Sequence, residues 1–65
     1  MARLTVDTFE GDDREPVVRH VFYGKSRRAA QKIMVAHMKT DRFLRGCETK
    51  GHFEAIACRT TKRWS

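Results

Sequence analysis

The sequence predicts a small two-layer α+β domain of order ββαβ, a three-stranded, mostly antiparallel sheet in strand order 2-1-3 with one helix packed on one face. Three observations predict it. Leu4, Val6 and Thr8 alternate with Thr5, Asp7 and Phe9, the period of two that marks a half-buried strand. From Arg27 to about Lys39 there is neither Gly nor Pro, and the stretch is rich in helix formers. A chain of 65 residues leaves room for one domain, taken as 1–65, with residues 60–65 read as a basic tail.

The elements follow in order. After the first strand, Glu10-Gly11-Asp12-Asp13-Arg14-Glu15-Pro16 is polar and holds both Gly and Pro, so it reads as a loop. Val17 to Tyr23 is β-branched and aromatic and reads as a second strand that Gly24 ends. A loop of this length suits a hairpin, so the first two strands pair antiparallel. Which face of the second strand is buried stays open: Val17, Arg19, Val21 and Tyr23 compete with Val18, His20 and Phe22.

Ser26 is placed to cap the helix. At 100° per residue, Ala29, Ala30, Ile33, Ala36, His37 and Thr40 share one side, with Met34 at its edge. Thr40-Asp41 reads as a new cap, and Arg42 to Arg45 as an extra turn or bent continuation that Gly46 stops. Glu48 to Gly51 is a turn. Phe53 to Thr60 reads as the third strand, with Ile56 and Cys58 on one face and Ala55, Ala57 and Arg59 on the other. A right-handed crossover through the helix sets this strand parallel to the second, which puts the first strand in the middle.

Composition narrows the function classes. A domain this small buries only roughly 60% of its unfolded surface, so a deep catalytic cleft would take apolar residues the core needs. Together with the absence of any nucleophile–base spacing, this argues against an enzyme. No segment approaches the roughly 18 apolar residues of a membrane span. Met1 to Asp7 holds no apolar run suited to a signal peptide, so the cytoplasm is the expected compartment and Cys47 and Cys58 are expected as free thiols.

Charge is the most informative feature. Residues 1–16 hold two basic and five acidic residues, net −3; residues 17–65 hold twelve basic and three acidic, net +9. Arg28, Lys32, Val35, Lys39 and Arg42 are spaced four, three, four and three apart and lie along one line of a helix, flanked by Arg27 and Arg45. No Asp or Glu occurs between Arg27 and Thr40. Solvated helix faces usually mix signs, whereas a line of long cations suits the repeating phosphates of a nucleic acid.

The expected function is therefore nucleic-acid binding through Arg27, Arg28, Lys32, Lys39, Arg42 and Arg45, with Lys62 and Arg63 of the tail. Tyr23 and Phe22, adjacent in a strand, point to opposite faces, so Tyr23 is a candidate for stacking on a base. The partner is DNA or RNA. The alternative is a protein–protein interaction module, an inhibitor or accessory subunit docking on an acidic partner. Either would act as a monomer or homodimer, without a cofactor.

Other constellations point to structure. His37 lies centrally on the apolar helix side and reads as a packed residue with a hydrogen-bonded ring. His37, Cys47, His52 and Cys58 match a zinc site in type, but none of their spacings is the tight pair of a zinc knuckle. Gly24-Lys25-Ser26 has the letters that end a phosphate-binding loop but lacks the upstream glycine, and reads as a strand-to-helix turn.

Overall fold

The computed structural model describes residues 1–47 and 57–65. Its elements run β1 (Ala2–Glu10), β2 (Val18–Gly24), α1 (Arg27–Met38) and β3 (Cys58–Trp64). The sheet order is β2-β1-β3, with β1 antiparallel to both neighbours, and α1 packs on β2 and β1.

Alternation along β1 decides the two faces. Leu4 sits opposite Phe22 and Trp64, Val6 opposite His20 and Lys62, and Thr8 opposite Val18 and Thr60. These rows face the helix. Leu4, Val6, Phe22, Ala30, Met34 and Leu44 form the core, with Met38 and Trp64 packed against it. The open question in β2 is thereby answered: Val18, His20 and Phe22 turn toward the helix layer, while Arg19, Val21 and Tyr23 turn away.

α1 begins as its sequence predicts. The Ser26 hydroxyl accepts from the Ala29 N–H at 3.2 Å, satisfying one of the orphan donors of the first turn. Its buried line differs from the predicted one. Ala30 and Met34 are buried and Met38 continues the line, whereas Ile33 is 41% exposed and Ala36, His37 and Thr40 face solvent. The contact seam is rotated by about 100°, one residue's turn, from the predicted apolar side. Gly24 is the reason. It has no side chain where the first turn of α1 crosses β2, so the backbone of Ala29 and Ala30 comes in directly and fixes which line of the helix meets the sheet.

Beyond Met38 the chain makes an extra turn, one of the two outcomes the sequence left open. The Asp41 carboxylate accepts from the Phe43 N–H at 2.9 Å, and the Arg45 N–H reaches the Asp41 carbonyl. Leu44 is thereby delivered to the core, and buried Thr8 donates its hydroxyl to the Phe43 carbonyl at 3.4 Å. Gly46, at φ +91°, reverses the chain.

Two predictions are corrected. The third strand runs over Cys58–Trp64 rather than Phe53 to Thr60, so residues 60–65 are mostly strand and not a tail; Phe53 to Ile56 lie outside the described residues. Thr60, Thr61 and Trp64 favour a pleated backbone, and the cations between them suit an edge strand exposed to water. Cys47 and Cys58 are joined in a disulfide, not free, with their Cα atoms 5.3 Å apart. The turn at Gly46 and the positive φ of Cys47 bring two residues eleven apart in sequence within bridging range. A bonded pair belongs to oxidising surroundings, so these cysteines lend no support to a cytoplasmic location. Among the described residues, no helix is long and apolar enough to cross a membrane.

Candidate nucleic-acid interface

The cationic line on α1 keeps its geometry. Arg28, Lys32 and Lys39 are exposed, with Val35 between them, and a hollow of about 340 Å³ lies among Arg28, Gln31, Lys32 and Val35. Among the described residues none of these cations pairs with a carboxylate. Arg42 lies past the helix end, its guanidinium 4.9 Å from the Phe43 ring centre, and Arg45 is exposed in the same turn. Arg27 turns away from the line and lies over the Trp64 ring at 5.4 Å, where it covers the core's edge.

The remaining predicted residues do not join this surface together. Lys62 shares the helix side of β3, but Arg63, one residue on, points through the opposite face. Tyr23 also lies on that open face and is 57% exposed. The eight predicted cations are thus divided between two sides of a thin molecule whose shortest extent is 11 Å.

The open face holds residues that the sequence reading did not single out. Along β1 it presents Arg3, Thr5, Asp7 and Phe9. Arg3 sits opposite Tyr23, Thr5 opposite Val21 and Arg63, Asp7 opposite Arg19 and Thr61, and Phe9 opposite Arg59. The Asp7 carboxylate is almost fully buried under two guanidinium groups, Arg19 Nε at 2.7 Å and Arg63 Nη2 at 3.1 Å. The Arg19 hydrogen bond holds the Asp7 carboxyl below the usual carboxylate range; burial opposes this, and the charges of Arg19 and Arg63 add to it. Both arginine side chains remain more than half exposed. Arg59 covers the Phe9 ring at 4.7 Å and donates to the Gly11 and Asp13 carbonyls. The signal for this face was present in the parity of β1, which puts Arg3, Asp7 and Phe9 opposite the core; the cross-strand partners were not legible without the register.

The histidine tied into the interior is His20, not His37. His20 Nε2 lies 2.6 Å from Asp41 Oδ2, and its ring stacks on Phe22. Burial of Asp41 works to raise its pKa, but the bonds from His20 and from the Phe43 and Leu44 N–H groups override it and hold the carboxyl low. His37 is exposed, with its ring tilted against that of Phe22 at 5.4 Å between ring centres.

The zinc reading fails on chemistry. Glu10, Cys47 and Cys58 come within 4.8 Å of one another, but both sulfurs are spent on the disulfide and offer no thiolate; His52 lies outside the described residues. Gly24-Lys25-Ser26 is the strand-to-helix turn expected of it. No family model matches the chain, and neither a curated protein nor a solved structure matches it.

Proposed function

We propose that this protein binds nucleic acid and contacts backbone phosphates through the outer face of α1. One observation carries the reading: Arg28 and Lys32 of α1 and Lys39 at its C-cap stand exposed along a single line, and α1 contains no acidic residue. Cations arranged this way displace the counterions condensed on a nucleic acid, which makes binding favourable and steeply salt-dependent. A face kept basic only for solubility would interleave carboxylates at i+4 spacing. Arg42 and Arg45 extend the same charge past the helix end. The reading assigns the protein a binding role rather than a reaction.

Fluorescence anisotropy with labelled single- and double-stranded DNA and RNA across a salt series tests it. Binding is expected at about 50 mM salt, with a log–log slope of roughly −4 to −5 on duplex DNA for about five phosphate contacts. Replacing Arg28, Lys32 and Lys39 together by Ala flattens that slope by roughly 3. No binding at about 50 mM salt, a condition under which phosphate contacts are strong, overturns the reading. Equal competition by polyglutamate at matched charge also overturns it, and assigns the basic face to an acidic protein.

A further inference from the structure

We propose that the open face of the sheet is a second surface, a platform for single-stranded nucleic acid on which Tyr23 stacks a base while Arg3, Arg19 and Arg63 contact phosphates. This rests on the nucleic-acid reading above and adds the strand form and the face that reads it.

Among the described residues, no second layer covers the open face of the sheet. α1 and the turn at Asp41 lie on the other side, so Tyr23 is left with its ring largely in water at the end of an edge strand. An exposed aromatic ring on a sheet offers a π-face to any base, but only to a base not already stacked within a duplex. Between Arg28 and Lys39 the cationic line on α1 carries no Phe, Tyr or Trp, whereas the sheet face presents Tyr23 beside its cations.

The cations around Tyr23 supply the other half of the recognition. Arg3 is directly across the strand pair from it, and Arg63 and Arg19 follow in the next rows along the sheet. Asp7 offsets one of these charges and, in return, holds two planar guanidinium groups in place while both arginine side chains stay more than half exposed. The face is graded as well. At its far end Arg59 is occupied with Phe9 and the loop carbonyls, and Asp12, Asp13 and Glu15 follow in that loop. A polyanion is therefore drawn to the Tyr23 end, where a hollow of about 260 Å³ is lined by Met1, Ala2, Arg3, Tyr23 and Ser65.

The test compares an oligothymidylate of about 12 nucleotides, within the site size of one small fold, with an abasic strand of the same length. The two carry the same phosphates and differ only in bases. The wild-type chain is expected to prefer the thymidylate by about 5- to 150-fold, the range one base–aromatic stack supplies. Tyr23→Leu brings that ratio close to one without changing affinity for the abasic strand, and Tyr23→Trp keeps it. Arg3→Gln weakens both strands alike and lowers the single-strand salt slope by roughly 0.7. Tyr23 is exposed and Arg3 is exposed, so neither substitution removes a core contact.

Equal binding of the two strands by the wild-type chain overturns the proposal, as does a preference that survives Tyr23→Leu. In both cases duplex binding with an α1-dependent salt slope leaves the reading of the helix face standing. Absence of binding to either strand and to duplex overturns both.

Discussion

Gly24 does more for this fold than its place at a strand end suggests. A Cβ at this position would run into the Ala30 backbone nitrogen and lie 2.9 Å from the Ala29 carbonyl carbon. Neither atom belongs to a side chain that could swing away, so the first turn of α1 would have to lift from β2. Gly24→Ala is expected to cost roughly 1–3 kcal/mol, as overpacking of a closely fitted contact does, visible as a lower urea midpoint. An unchanged midpoint would mean that the helix does not sit this close. The residue scale also explains why His37 and His20 trade places. Helical periodicity puts His37 on an apolar side, but the glycine contact turns that side outward, and the strand register turns His20 in toward Asp41.

At the scale of elements, α1 and β1 were the most legible because each carries its own period. The helix start at Ser26 and the alternation of Leu4, Val6 and Thr8 are local facts of sequence. β3 was displaced because Cys58–Trp64 is cation-rich, and an edge strand with one face in water needs little apolar sequence to form. The disulfide joins the turn after α1 to the start of this strand. Closing a loop between residues eleven apart removes chain entropy from the unfolded state worth roughly 2–3 kcal/mol. Replacing Cys47 and Cys58 together by Ser should lower unfolding free energy in urea by about that amount, and reductant should bring the wild-type chain to the same value. A wild-type stability indifferent to reductant would show that the pair is not bonded.

At the scale of the whole molecule, two carboxylates cross-link separate elements. Asp7 ties β1 to the arginines of both neighbouring strands, and Asp41 ties the turn after α1 to β2. Both are held below the ordinary carboxylate value of 3.8. The sign follows from linkage: protons bind more readily to the unfolded chain, so the stabilisation is complete above the unfolded pKa and is lost as pH falls through the folded one. Stability measured in urea should therefore fall as pH drops below about 4, and Asp7→Asn should make that fall shallower. A wild-type profile with no loss on acidification would contradict these contacts.

The charge asymmetry at this scale was legible from sequence, since it depends only on which residues lie before and after position 16. So were the element order and the 2-1-3 sheet, because local period and crossover handedness leave few ways to place three strands and one helix. What only the tertiary structure decided was direction. Which line of α1 is buried, which face of β2 points inward, and which arginines meet over Asp7 all depend on where distant backbones approach one another. The predicted patch of helix and tail cations was thereby divided between two faces, because a strand turns Lys62 and Arg63 to opposite sides where a flexible tail would not.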